Sequence, residues 1–221
     1  MATITIAIDG PAGAGKSTIA KIIADRLNIL YLDTGAMYRA VALKVLENEI
    51  DPANPNLVIP LLSSTHINVS YYQKLQRIYL DGKDVTHFIR EPQISKVASV
   101  IATIPEVRVK LVEVQRQLAK QYSLVMDGRD IGTFVLPNAD KKFFLTATVE
   151  ERAHRRWQEM LQKGYNQSLE SVKKEIELRD KNDTCRSFAP LRRAEDAILV
   201  DTTGKSISQV VDEVCQQLKE Y

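Results

Sequence analysis

The residues Gly10-Pro11-Ala12-Gly13-Ala14-Gly15-Lys16-Ser17 fit the spacing GxxxxGK[ST]. Each residue type has a chemical task. Glycines let the backbone curl until successive N–H groups point at phosphate oxygens, which bulkier side chains would prevent. Lys16 brings positive charge to the transferring end and Ser17 a hydroxyl for Mg²⁺. A helix starting there directs the positive end of its dipole at the anion. The alternative is an ordinary glycine-rich turn. It is disfavoured because a strand pattern (Ile4, Ile6, Ile8) precedes the loop, a helical pattern follows it, and every fixed position is filled.

Asp127-Gly128-Arg129-Asp130 directly follows an apolar strand pattern, which puts it at the carboxyl edge of a parallel sheet, where α/β folds bind ligands. Asp127 suits an acid that orients Mg²⁺ through water, and Arg129 suits bidentate contact with a phosphate. A salt-bridged turn with Asp127 capping backbone groups fits equally well, and local sequence leaves both readings open. Arg179, Asp183 and Arg186 share one face of a helix if that helix persists through Cys185. Arg152, Arg155 and Arg156 show similar geometry in the preceding helical stretch. Taken singly, each of these is the solvated face of a charged helix. Taken together, they suit phosphoryl transfer, where a well-placed arginine contributes roughly 10³ to 10⁵ in rate. His66, His87 and His154 are scattered without a catalytic partner, and Tyr71, Tyr72 and Tyr79 are read as packing rather than stacking on a base.

The elements that must position these residues alternate. Ile19, Ala20, Ile22, Ile23 and Leu27 recur at helical spacing after the loop. A short strand at Ile29–Leu32 follows, then a helix from Asp33-Thr34-Gly35 carrying Met37, Val41, Val45 and Leu46, ending before a loop with Pro52 and Pro55. From Thr65 to about Val85 the period changes to two, with an Asp81-Gly82 turn, which predicts a small antiparallel lobe inserted in the α/β alternation. Pro92 and Pro105 introduce two helices. Strands at Leu124–Met126, Lys142–Leu145 and Ile198–Val200 resume the parallel pattern, and Thr148-x-x-Glu151 and Ser206-x-x-Gln209 read as capping boxes.

Length and charge exclude several classes. The 221 residues suggest one large domain, or a core with an inserted lobe. Thirty basic against 28 acidic residues leave +2, no footprint for a nucleic-acid polymer. Cys185 and Cys215 lie far apart without metal-ligand spacing and are read as reduced intracellular thiols. No signal-like start and no run approaching the roughly 18 apolar residues of a membrane span predict a cytoplasmic protein, and no sustained heptad leaves monomer as the expectation.

These residues together resemble the bacterial-type cytidylate kinases. The resemblance runs nearly end to end, through Ile8-Asp9-Gly10-Pro11, Leu32-Asp33-Thr34-Gly35-Ala36-Met37-Tyr38-Arg39, Asp127 through Thr133, Glu151 through Arg156, and Arg179-Asp180 through Ala189-Pro190-Leu191. It implies a P-loop NTPase fold: a three-layer α/β sandwich with a central parallel sheet of about five strands, an inserted antiparallel lobe and a helical lid. The single kinase domain would comprise a core at 1–62, 104–150 and 190–221, a monophosphate-binding lobe at about 63–103, and a lid with its following helix at about 151–189. The implied reaction moves the γ-phosphoryl group of ATP to CMP or dCMP, with Mg²⁺ as cofactor. The ATP side would be Gly10 through Thr18 with Arg155 and Arg156, and Ser17 and Asp127 (through water) would serve the metal. Arg39, Arg129 and Arg186 would hold the acceptor phosphate, Arg179 and Asp183 would reach sugar and phosphate, and Ser99, Arg108 and Asp130 would read cytosine. Lys16, Arg129 and Arg186 are the implied catalytic residues. The resemblance implies serine where Thr34 stands, a departure that keeps the hydroxyl and would bear on packing beside the ligand.

The base assignment has its own physical sense. Cytosine presents an amino donor at N4 beside acceptors at N3 and O2, so a carboxylate and a guanidinium together match it, and uracil reverses the first two edges. Two rivals remain at this stage: a P-loop kinase for another small molecule, and a nucleotide-dependent switch. The second lacks support, because Asp180-Lys181-Asn182-Asp183 has the wrong first residue for the guanine-reading [NT]KxD.

Overall fold

A computed structural model describes residues 3–218. In it, β1 (Thr5–Asp9) leads through the glycine-rich loop into α1 (Lys16–Arg26), and β2 (Leu30–Asp33) leads directly into α2 (Thr34–Glu47). The residue alternation within β1 explains the layering. Ile6 and Ile8 pack on one face of the sheet with α1, and Ala7 packs on the other with α2. A strand buried on both faces suits a parallel sheet covered by helices.

The chain then leaves the core. α3 (Pro55–Ser63) occupies part of the stretch expected to be loop, because Pro55 takes a first-turn position, where its missing N–H costs nothing, and Asn54 caps the helix. A meander follows: β3 (Ile67–Tyr72), β4 (Leu75–Leu80) and the two-residue β5 (Lys83–Asp84), antiparallel in the order β3-β4-β5. Asp81 and Gly82 make its second turn with φ of 50° and 85°. Tyr71 packs edge-on against Tyr122, as expected of a packing residue, but Tyr72 is exposed, with the Arg77 guanidinium over its ring. A 3₁₀ turn (Phe88–Arg90) connects to α4 (Pro92–Ile101) and α5 (Pro105–Gln121).

β6 (Leu124–Asp127) re-enters the sheet between β1 and β2, and one π-helical turn (Ile131–Val135) follows it. β7 (Lys141–Thr146), α6 (Val149–Gln162), α7 (Leu169–Cys185), β8 (Ile198–Asp201) and α8 (Ile207–Gln216) complete the described chain. The parallel order is β2-β6-β1-β7-β8. α6 and α7 share a small core of their own, Ala153, Met160, Val172 and Ile176. Ser206 and Gln209 form a complete capping box on α8. Thr148 forms only half of one. It accepts from the Glu151 amide at 3.3 Å, but its own N–H donates to Thr203 Oγ1 and the Glu151 carboxylate takes Arg155 instead. No helix among the described residues is long and apolar enough to cross a membrane.

Candidate active site

Three adjacent strands end in buried carboxylates at one sheet edge. Asp33 on β2 registers with Asp127 on β6, and Asp9 closes β1 beside them; all three are buried. The glycine loop turns above this edge. At Gly10 (φ +145°) an added Cβ would lie 2.0 Å from the Leu145 carbonyl oxygen, so only glycine fits. Gly15 caps α1 at φ 87°. Lys16 folds back across the loop, its Nζ donating to the Pro11 carbonyl at 2.7 Å. Burial, and after it the Arg129 guanidinium, hold the Lys16 ammonium well below its usual range.

Ser17 Oγ donates to Asp127 Oδ2 at 2.9 Å, and Tyr31 donates to Asp127 Oδ1 at 2.7 Å. Burial, and then the neighbouring Asp33, raise the Asp127 carboxyl. A buried carboxylate short of positive charge, bonded to the loop hydroxyl, fits a hard cation. Among the described residues there is no cluster of three or more His, Cys, Asp or Glu that could hold a metal, so a divalent ion here would rely on phosphate oxygens and water for its other ligands. Thr34 spends its hydroxyl proton on the Asp127 carbonyl at 2.7 Å.

Arg129 and Asp130 after β6, Arg108 on α5, and Asp183 and Arg186 at the end of α7 are joined by ion pairs at the same edge. Arg129 Nε donates to Asp183 Oδ2 at 2.7 Å, and Arg186 Nη1 lies 3.5 Å from Asp183 Oδ1. The helix does persist through Cys185, with Arg186 at its C-cap. Arg108, almost wholly buried on α5, places Nη2 2.5 Å from Asp130 Oδ2, and Arg186 Nη2 is 3.8 Å from Asp130 Oδ1. Each group also has fixed supports: Arg108 Nη1 donates to the Ala102 carbonyl and Arg186 Nε to that of Ala189.

Several buried polar atoms of this set have no hydrogen-bond partner: Arg39 Nε, Ser99 Oγ, Arg108 Nε, Arg179 Nε and Arg186 Nη2. Native interiors seldom leave such atoms unpaired, and where they do gather, a ligand is a ready explanation. The electrostatics agree. Burial, and then Arg129, push the Arg179 guanidinium down to about 10, with Arg39 and Arg156 acting in the same direction against Asp183. Arginines crowded to this degree favour an anion among them.

On α6, Arg155 donates to Glu151 and to the Thr202 side chain and carbonyl, and Arg156 pairs with Glu159 at 3.3 Å. Sequence reasoning left Arg152 out of the ATP set, yet this α6 arginine hydrogen-bonds the loop directly. Its Nη1 donates to the Ala12 carbonyl at 3.0 Å and pairs with Asp180 at 2.7 Å. Asp9 was also missed. Its carboxylate accepts from the Ile131 and Gly132 amides at 2.8 and 2.7 Å, which ties the strand before the glycine loop to the turn carrying Arg129 and Asp130. The acid residue directly before the loop was the only available signal.

Comparison with known proteins gives a consistent picture. The family model described as cytidylate kinase matches residues 6–220. A cytidylate kinase of Caldicellulosiruptor bescii is 54% identical over 216 residues, covering 98% of this chain and 96% of that protein. One from Halalkalibacterium halodurans is 50% identical over 220 residues, covering 100% and 99%. Among solved structures, a gluconokinase from Sinorhizobium meliloti superposes with a TM-score of 0.53 at 12% identity, covering 98% of this chain and 92% of that one, a likeness of fold.

Proposed function

The chain belongs to the cytidylate kinase family, and from that premise we propose how its residues divide the work. The enzyme transfers the γ-phosphoryl group of ATP to CMP or dCMP, giving ADP and CDP or dCDP. The acceptor phosphate is already an anionic nucleophile, so the protein needs no general base; it must align, neutralise and dry the site. Gly10 through Thr18 bind the donor phosphates, and Lys16 neutralises charge at the transferring end. Arg39, Arg129, Arg179 and Arg186 hold the acceptor phosphate and sugar, with Asp183 fixing Arg129. Arg108, Asp130 and Ser99 read the base. Arg155 and Arg156 belong to the lid over ATP, and Arg152 anchors that lid to the loop.

Kinases of this type use a divalent cation, and the residues here fit Mg²⁺ held through Ser17 directly and Asp127 by way of water. When bound, Mg²⁺ supplies charge neutralisation at the β- and γ-phosphates. The lobe at about 63–103 and the lid at about 151–189 would close on the two nucleotides, excluding the water that would otherwise hydrolyse ATP. The near-balanced charge of +2 favours nucleotides over a nucleic-acid polymer as partners, and we read the enzyme as a cytoplasmic monomer that makes no membrane contact.

The observation that carries this division of labour is the gathering of unpaired buried N–H and hydroxyl groups on Arg39, Ser99, Arg108, Arg179 and Arg186. Two alanine variants test it. Arg179→Ala should raise KM for CMP about tenfold or more and leave KM for ATP within about twofold, as expected for loss of a charge-assisted contact on one substrate. Lys16→Ala should cut kcat at least about 10²-fold, the scale of one lost electrostatic group. Near-normal transfer by a folded Lys16→Ala enzyme, or equal loss of both substrates in Arg179→Ala, would refute the assignment.

A further inference from the structure

Asp33, at the end of β2, engages every polar atom it has. Oδ1 accepts from the Ala36 amide at 2.9 Å, capping α2. Oδ2 accepts from Arg39 Nη2 at 2.8 Å and from Arg90 Nη1 at 3.1 Å. Its backbone N–H donates to Gln76 Oε1 at 2.8 Å, and Gln76 Nε2 returns a bond to the Asp33 carbonyl at 3.2 Å. Gln76 lies on β4 and Arg90 on the 3₁₀ turn after β5, so one residue collects the α2 arginine and three hydrogen bonds from two residues of the segment around the antiparallel sheet.

Gly35 supplies a second, independent observation. Its backbone is ordinary helix, so glycine is not required there for conformation. It matters for space: an added Cβ would lie 3.1 Å from Arg39 Nη1 and 3.1 Å from Asp33 Oδ1, close enough that these side chains would have to shift by a few tenths of an ångström. Arg39 therefore lies folded back over the first turn of α2. Its Nε remains buried and unpaired, and its charge acts on Arg179.

We propose that Asp33 is the positioning residue for Arg39, with Gly35 as the bed on which that guanidinium rests and Arg90 and Gln76 tying the same residue to the antiparallel lobe. The proposal deepens the site reading above and rests on Arg39 binding the acceptor phosphate. The charge balance makes the arrangement workable. One carboxylate against two guanidiniums leaves net positive charge, so Asp33 orients Arg39 without cancelling its attraction for phosphate. Holding Nη2 removes the rotamer freedom of a long side chain before the anion arrives, the general route by which pre-organisation raises affinity. Loss of the lobe contacts would leave Asp33 and Arg39 as a neutral pair, so the arginine is set for phosphate only while the lobe is in place.

The test is a double-mutant cycle on KM for CMP at saturating ATP, using Asp33→Asn, Arg39→Ala and the double variant. Asparagine caps helices as well as aspartate does and has nearly the same volume, so the fold is kept. Asp33→Asn alone should raise KM for CMP about tenfold with KM for ATP unchanged, in line with loss of a charge-assisted bond. On the Arg39→Ala background the same change should add less than about twofold. A similar rise in both backgrounds, or no rise from Asp33→Asn alone, overturns the proposal. An unchanged KM in Arg39→Ala refutes the assignment of Arg39 itself, and the positioning role falls with it. Gly35→Ala approaches the claim without touching the carboxylate. It should raise KM for CMP through displaced Arg39, and an unchanged value would overturn the proposal even if Asp33→Asn failed to fold.

Discussion

Asp130 sits between the guanidiniums of Arg108 and Arg186, buried to 3% exposure. Its carboxylate suits the N4 amino group of cytosine and opposes the O4 of uracil, a mismatch of roughly 1 to 3 kcal/mol. Asp130→Asn should therefore narrow the CMP over UMP preference in kcat/KM by roughly tenfold, and an unchanged ratio would remove Asp130 from base reading. Asp9 allows a different prediction, about pH. Burial raises its carboxyl from 3.8 to about 7, against the two amide bonds and Lys16 that favour the charged form. A group whose folded pKa exceeds its unfolded one binds more protons in the native state across that interval, so its contribution to stability falls as pH rises from about 4 to 7. Asp9→Asn removes this titration. The stability of the variant relative to the parent, measured by urea unfolding, should increase across that window; a flat difference would show that Asp9 does not titrate there.

At the scale of elements, the capping boxes separate a structural role from a functional one. Ser206→Ala removes the cap of α8, whose apolar face packs on α1, and should cost about 1 kcal/mol of stability with kcat and KM for CMP unchanged. A loss of activity at constant stability would contradict that separation. The strands were legible in the chain because strands buried on both faces keep short apolar runs, as Leu124-Val125-Met126 does, and the glycine loop because its steric demands allow few residues. α3 was not legible: Pro52 and Pro55 resemble breakers, and only Asn54 as cap turns Pro55 into a helix start. The organising part of Asp33 was illegible for another reason. Its partners Gln76 and Arg90 lie 43 and 57 positions away and meet it only once the antiparallel lobe folds against β2. The half-formed box at Thr148 shows the converse. The local pattern was complete, but Arg155 and Thr203 competed successfully for the second pair of bonds.

For the molecule as a whole, one sheet edge brings the glycine loop within the electrostatic reach of the arginine cluster proposed to hold the acceptor: Arg129 and Arg179 both act on Lys16. That proximity lets one enzyme present two polyanions to each other, and neutralisation by arginine and lysine lowers the repulsion between them. On the proposed division of labour, substrate choice rests with the pocket rather than the loop, whose backbone N–H groups meet phosphate alone. The most direct measurement is ADP release from ATP and Mg²⁺ with CMP, dCMP, UMP, AMP or shikimate as acceptor, alongside a reaction without acceptor. CMP or dCMP should give the highest kcat/KM, UMP should trail by roughly tenfold or more, and ADP release without acceptor should be slow. A higher kcat/KM on AMP or shikimate, or ADP release indifferent to any acceptor, would contradict the proposed two-nucleotide site.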